Sequence, residues 1–288
     1  MDINWKTQLY SLIGNPVEKS LSPIIHNNIF KELKKEKIYL AFNIKEKGLK
    51  TTIDGFKSMN IQGFNVTIPY KKEVIKYLDY VSPEAEIIGA VNTVKNENGK
   101  FVGYNTDGAG LIKTFHDNKI DIKDKNILLL GSGGAAYGIA VALAKEKVRK
   151  IYINNRNIDN SIILQKKINL IDEKILTEVG KLSLDNIKKD SIDIIINSTS
   201  VGMYPMQNMS PIELNGFYKD TIIYDIVYKP RKTKLIEDGI ERGHRTFGGI
   251  SMLLNQAILS QEIWLDSGGK IDMEIIKKIE GILLTHIE

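Results

Sequence analysis

The stretch NILLLGSGGAAYGIAVA, residues 126–142, decides the fold of this chain. A run of apolar residues, Ile127 to Leu130, leads straight into Gly131-Ser132-Gly133-Gly134-Ala135-Ala136, and an Ala-rich, Pro-free segment follows. That order predicts a buried parallel strand, a tight turn and a helix N-terminus. The first glycine permits the turn, the second lets the backbone approach a pyrophosphate, and the small residue at the end lets helix and strand pack closely. The free N–H groups and the positive end of the helix dipole then face the phosphates. A glycine-rich loop alone is a weak signal, and its strand–turn–helix context is what makes it a dinucleotide site.

Some two dozen positions on, Lys150-Ile151-Tyr152-Ile153-Asn154 reads as the next strand. An acid at its end would accept the ribose 2′-hydroxyl of NAD. This chain has Asn155-Arg156-Asn157 there, and only five of its 40 basic residues are arginine. A guanidinium pairs bidentately with phosphate, so Arg156 predicts a 2′-phosphate and NADP over NAD. The bland reading of Arg156 is a solvated strand end.

The 288 residues suffice for one large or two ordinary domains, and 42% hydrophobic with 26% charged residues is ordinary for a soluble globular chain. The absence of cysteine excludes disulfides and thiolate catalysis and suits a reducing cytoplasm. The opening MDINWKTQLYSLIG has no basic segment followed by a long apolar run, so no secretory signal is expected. No apolar run reaches the ~20 residues that span a bilayer, so no membrane partner is expected. The net charge of +5 comes from lysine and glutamate mixed along the chain, and the run from Lys31 to Lys37 reads as a solvated helix face. No basic stripe with interleaved aromatics indicates nucleic acid. The four histidines show no ligand spacing, so no metal is expected.

Strands are expected at Leu9 to Ile13, Leu40 to Ile44, Gly63 to Ile68, Ile192 to Asn197 and Thr221 to Tyr228. Helices are expected after Pro23, after Gly108 and, at the C-terminus, in MLLNQAILSQEIWL and DMEIIKKIEGILL. The alternation implies α/β architecture with mostly parallel sheets. We expect two α/β domains with a cleft between them: residues 1–106, a Rossmann-type nucleotide domain at 107–248, and helices at 249–288 returning to the first domain.

Several polar residues stand where a core explanation is weak. Ser20 and Ser22 lie on one side of an extended segment, and helix capping is the equal alternative. Asn65 and Thr67 share a face at a strand end, with Lys71 just beyond Pro69-Tyr70. Asn92 follows another short apolar run. Asp107 precedes Gly108 and is equally readable as an N-cap. Asn197 ends a strand, where a turn role is as plausible as a ligand role. From residue types alone the chain is an NADP-binding α/β protein with no defined substrate.

In order along the chain stand YSLIGNPVEKSLSPIIHN (10–27), GFNVTIPYK (63–71), IGAVNTV (88–94), GYNTDGAG (103–110), LLLGSGGAA (128–136), NNRN (154–157), INSTSVGM (196–203), YDIVYKPRKTKL (224–235) and GGISMLLNQA (248–257). Together they closely resemble the shikimate dehydrogenase family. The resemblance implies NADPH-dependent reduction of 3-dehydroshikimate to shikimate, on the route to chorismate and the aromatic amino acids. It implies Lys71 and Asp107 as catalytic residues, Ser20 and Ser22 as holders of the substrate carboxylate, and Thr67, Asn92, Tyr228 and Gln256 as further substrate contacts. It implies that Gly131, Ser132, Gly133, Gly134 and Ala135 meet the cofactor's phosphates. Asn155, Arg156 and Asn157 correspond to the 2′-phosphate site, and Ile226 and Gly249 lie beside the nicotinamide. A cytoplasmic monomer or homodimer fits the family.

The lysine makes chemical sense, because hydride delivery to a ketone leaves an alkoxide that an ammonium can stabilise and protonate. Closure of the cleft around both ligands is expected. The chain also departs from the family. Asn157 replaces the usual Thr or Ser, Asp159-Asn160 stand where a second basic residue is common, and Ser251 replaces a frequent glycine. The nearest rival is a quinate/shikimate dehydrogenase using NAD, which a threonine in place of Ser22 and an acid after the strand would favour. A non-catalytic NADP-binding regulator would be expected to lack Lys71 or Asp107.

Overall fold

The computed structural model describes residues 3–45, 47–265 and 271–287. The chain divides into two compact units, Met1–Thr106 with Leu254–His286, and Asp107–Leu253 with the last two residues.

The first unit carries β1 (Gln8–Gly14), α1 (Ser22–Glu32), β2 (Lys37–Asn43), α2 (Leu49–Ser58), β3 (Gly63–Val66), β4 (Tyr80–Val81), α3 (Pro83–Ile88), β5 (Thr93–Glu97) and β6 (Lys100–Tyr104). They form a six-stranded sheet in the order β2-β1-β3-β5-β6-β4. The pairs β1–β2, β1–β3 and β4–β6 are parallel, while β5 runs antiparallel to both β3 and β6. The β5–β6 hairpin was not expected. Its signal is Asn98-Gly99, which sits at φ 54° and 85° and so supplies the two left-handed residues of a tight hairpin turn.

The sheet packs one face on Ile53, Phe56, Val74 and Ala85. The other face meets Phe30 and Trp264. Fully buried side chains such as Ile53, Val74 and Phe30 contribute about 1.5–3 kcal/mol each.

The second unit carries α4 (Asp107–Asp117), β7 (Asn126–Leu130), α5 (Gly134–Lys145), β8 (Lys150–Asn154), α6 (Ile158–Ile171), β9 (Leu176–Gly180), β10 (Ile194–Asn197), β11 (Ile222–Asp225), α7 (Lys234–Glu241) and β12 (Thr246–Phe247). Then come α8 (Ile250–Leu265) and α9 (Met273–Leu284). The sheet order is β12-β11-β10-β7-β8-β9, with every pair parallel. Ile127, Leu128, Leu129 and Leu130 are all fully buried, as a strand covered on both faces demands. The strand order reverses between β7 and β10, which makes their C-terminal ends the topological switch point.

Helix α5 is buried from Ala136 to Ala144, and its small residues are the reason. A Cβ on Gly108 of α4 would lie 2.2 Å from the Gly138 carbonyl oxygen, so the two helices cross backbone to backbone.

Some boundaries differ from those expected. Strand β2 begins at Lys37, and α1 ends at Glu32, so the Lys31 to Lys37 run is a helix end, a turn with Lys34 at φ 51°, and a strand start. Strand β11 stops at Asp225 because the Asp225 carboxylate accepts the Val227 N–H at 3.0 Å and turns the chain.

The end of α8 and α9 belong with the first unit. The Trp264 indole N–H donates to the Val94 carbonyl at 2.9 Å, and Lys278 pairs with Glu32 at 2.9 Å. The expected helical region 249–288 includes residues 266–270 and 288, which lie outside the described residues.

Candidate active site

In the first unit the candidate residues collect at the ends of β1, β3 and β5. Ser20 and Ser22 bond to each other, Oγ to Oγ, at 3.2 Å, and Ser20 Oγ also accepts the Ser22 N–H. The α1 N-cap position is Leu21, without a side-chain cap bond, but Ser20 Oγ takes the N–H of the first α1 residue, so a capping role for Ser20 stands beside a ligand role.

Thr67 lies against the end of β1. A Cβ on Gly14 would come within 2.3 Å of the Thr67 methyl, and the Thr67 N–H donates to the Ile13 carbonyl. The Lys71 carbonyl accepts the Val91 N–H at 2.7 Å, which ties the lysine's backbone to the segment that carries Asn92.

Asn92 is buried, and its amide is spent with little slack. Its Oδ1 accepts the Thr106 N–H at 2.9 Å, while its Nδ2 donates to Thr106 Oγ1 at 2.9 Å and to Gln256 Oε1 at 3.4 Å. Thus Asn92 and Gln256, far apart in sequence, meet directly.

Behind them runs a buried polar layer. Asn65 Nδ2 donates to the Asn92 carbonyl, Thr93 Oγ1 and Ser260 Oγ, and Asn65 Oδ1 accepts the Tyr39 hydroxyl at 2.8 Å. Asn65 stands at a strand end and Thr106 lies in the GYNTDGAG stretch, whereas Ser260, inside an apolar helix, carries no such signal. The His26 ring stacks on Tyr39 at 4.3 Å, and burial pulls it down to a pKa of about 3, so it is a neutral core histidine.

In the second unit the glycine turn sits at the switch point. Gly131 adopts φ 101°, and a Cβ there would meet Ser198 Oγ at 2.9 Å. Gly133 is the N-cap of α5 and has no side-chain cap bond, and a Cβ on it would meet nothing within 4 Å. The start of α5 thus has no side chain capping its first N–H groups and open space beside Gly133.

At the end of β8, Asn155 Nδ2 donates to Ser132 Oγ at 2.6 Å, which links the glycine turn to the β8–α6 turn. Asn157 caps α6 by accepting the Asp159 N–H. Arg156 is exposed, with no hydrogen bond or ion pair among the described residues.

One cluster escaped the candidate set. The Asp225 carboxylate is fully buried and accepts from Asn197 Nδ2 at 3.0 Å, the Val227 N–H at 3.0 Å and the Thr233 hydroxyl at 2.6 Å. Desolvation outweighs these donors and pushes its pKa up to about 6. Asp225 thereby holds the loop that carries Ile226 and Tyr228. A Cβ on Gly249 would lie 2.0 Å from the Ile226 carbonyl oxygen, so these two candidates are in backbone contact. Tyr228 is largely buried, which raises its phenol pKa. Asp107 is buried and opens α4.

The family model for the shikimate dehydrogenase substrate binding domain matches residues 12–94, and that for shikimate / quinate 5-dehydrogenase matches residues 113–233. The protein named shikimate dehydrogenase (NADP(+)) of Methanococcus maripaludis is 44% identical over 279 residues, covering 96% of this chain and 98% of that one. This chain belongs to the shikimate dehydrogenase family.

A crystal structure of shikimate dehydrogenase in complex with NADP+ superposes with a TM-score of 0.90 at 38% identity, over 98% of this chain and 97% of that one. The Listeria monocytogenes enzyme, in complex with shikimate and NAD, gives 0.89 at 35% identity, over 98% of both chains.

The residues present fit a dinucleotide phosphate. The uncapped start of α5 offers N–H donors beside an open glycine, and Arg156 offers an unengaged guanidinium. Among the described residues no group of His, Asp or Glu could hold a metal, and no helix is long and apolar enough to cross a membrane.

Proposed function

We propose that this protein interconverts 3-dehydroshikimate and shikimate with NADP as redox partner, supplying the route to chorismate and the aromatic amino acids. The observation that carries the reading is the 44% identity to an NADP-dependent shikimate dehydrogenase over almost the whole of both chains. The open phosphate cradle at the switch point supports it.

In this reading residues 1–106 bind the substrate, residues 107–248 bind the cofactor, and the helices of 249–288 complete the first unit. Ser20 and Ser22 hold the substrate carboxylate with their hydroxyls. Thr67, Asn92, Tyr228 and Gln256 pair with the ring hydroxyls, where any donor left unpaired would be costly. Lys71 supplies an ammonium that stabilises the developing alkoxide and gives it a proton. Asp107 orients that ammonium and accepts from a substrate hydroxyl.

The bound cofactor supplies the hydride. Residues 131–135 meet its diphosphate through backbone N–H groups, Asn155, Arg156 and Asn157 face the 2′-phosphate, and Ile226 and Gly249 flank the nicotinamide. The protein works in the cytoplasm as a monomer or homodimer, with no nucleic-acid or membrane partner.

The test is the rate of NADP and NAD reduction with shikimate and with quinate on one preparation. Shikimate with NADP should give the highest kcat/KM. Turnover of neither acid would refute the reading, and quinate with NAD as the best pair would replace it.

A further inference from the structure

Gln256, Ser260 and Trp264 follow one another at four-residue spacing and so share one face of α8. Each meets the sheet of the first unit or the loop at its end. The Trp264 indole N–H donates to the Val94 carbonyl at 2.9 Å, and a Cβ on Gly63 would lie 2.6 Å from Trp264 Nε1, so this end of the face is set directly on backbone. At the other end Gln256 Oε1 accepts from Asn92 Nδ2 at 3.4 Å, at the long limit of a hydrogen bond.

Ser260 lies between them and is fully buried. Its one proton goes to the Gln256 carbonyl at 2.9 Å, which can only accept. Its oxygen is left as an acceptor, with Thr93 Oγ1 at 2.8 Å, Asn65 Nδ2 at 3.2 Å and Thr106 Oγ1 at 3.3 Å. These bonds tie α8 to β3 and β5 one turn away from Gln256. Removing the hydroxyl orphans none of the closer partners. Asn65 Nδ2 keeps the Asn92 carbonyl at 3.0 Å, Thr93 Oγ1 keeps Asn92 Oδ1 at 2.9 Å, and Trp264 still docks the helix. What is lost is the fixed spacing between α8 and the strands beside Gln256, where the contact with Asn92 has no slack.

We propose that Ser260 is a positioning residue, which holds Gln256 against Asn92 so that the two amides meet the substrate in one arrangement. The inference rests on the substrate reading above and concerns how that site is held. Ser260 acts through Gln256, and neither Lys71 nor the residues assigned to the cofactor take part in its bonds.

The experiment is steady-state kinetics of the full chain, varying shikimate and NADP in turn, with urea denaturation of the same samples. Ser260→Ala should raise KM for shikimate about three- to tenfold, the worth of one hydrogen bond, and leave kcat and KM for NADP within about twofold of the parent. In a Gln256→Ala background the same substitution should change KM for shikimate by less than about twofold, because the residue it acts through is gone. Ser260→Cys, which fills the space but bonds weakly, should shift KM in the same direction and stands in if the alanine variant does not fold. A merely structural serine would lower the urea midpoint and leave KM for shikimate unchanged, and that result overturns the proposal. So does a KM for NADP that rises equally, or an undiminished effect in the Gln256→Ala background. A parent that does not turn over shikimate, or a Gln256→Ala variant with the parent's KM, overturns the substrate reading and this proposal together.

Discussion

Replacing Asp225 by asparagine should make the protein more stable at neutral pH. The carboxylate is fully buried, and burial raises its pKa from 3.8 to about 6 despite three donors. Because the folded value lies above the unfolded one, the native state binds the proton more tightly than the unfolded chain. This group's contribution to stability is therefore complete below the unfolded value of 3.8 and is lost as the pH rises through about 6.

A displacement of about two pKa units, at ~1.4 kcal/mol each, amounts to about 3 kcal/mol lost at neutral pH. Asparagine has the shape of the neutral acid. Its Oδ1 can accept from Asn197 Nδ2 and the Val227 N–H, and its Nδ2 can donate to Thr233 Oγ1. Urea denaturation of parent and Asp225→Asn should thus give similar midpoints at about pH 4, and a variant more stable by up to about 3 kcal/mol at about pH 7.5. A variant less stable than the parent at neutral pH would show that the three donors outweigh desolvation, and the argument would be wrong.

Two further substitutions probe the remaining parts. Lys71→Ala should cut kcat for shikimate oxidation about a hundredfold or more while KM rises far less, because the lost ammonium acts mainly on the transition state; steady-state kinetics showing kcat unchanged would remove Lys71 from the mechanism. Gly249→Ala places a methyl 2.0 Å from the Ile226 carbonyl oxygen and 2.4 Å from its carbon, both backbone atoms that cannot swing aside. A loss of about 1–3 kcal/mol in chemical denaturation is expected, and an alanine variant as stable as the parent would contradict the contact.

Much of the architecture was legible because its signals are local. The run from Ile127 to Leu130 into glycines specifies a strand and a turn through burial and φ alone, and β7, fully buried from Ile127 to Leu130, with Gly131 at φ 101° follows from it. Other parts were less open. The strand expected through Tyr228 ends at Asp225, since a side-chain carboxylate takes the next backbone donor, a competition that apolar pattern does not register. Ser260 joins the layer behind Asn92 through contacts spanning more than a hundred positions, such as Thr93 with Ser260 at 2.8 Å, and no spacing rule reports them. The roles of Ser20, Lys71 and Gln256 came from motif resemblance, because a serine, a lysine among many and a helical glutamine are individually ordinary.

The two units obey one rule in placing their polar groups. In the second, Asn197 and Asp225 are partners in the β10–β11 register, and Asn197 is also opposite Leu130, the last residue before the glycine turn. In the first, Asn65 is opposite Leu12 on one side and Thr93 on the other. At each of these places a strand that reads as pure core carries a buried amide or carboxylate at or next to its last residue. Such groups cost stability wherever they are not fully bonded, and Asp225 does so even when bonded. Departures from local consistency concentrate at functional positions. Here they mark the strand ends from which Thr67, Gly131 and Tyr228 issue, so the polar layer fixes the directions in which those loops leave the sheets. Loosening one of its members should therefore disturb ligand geometry before it disturbs the fold.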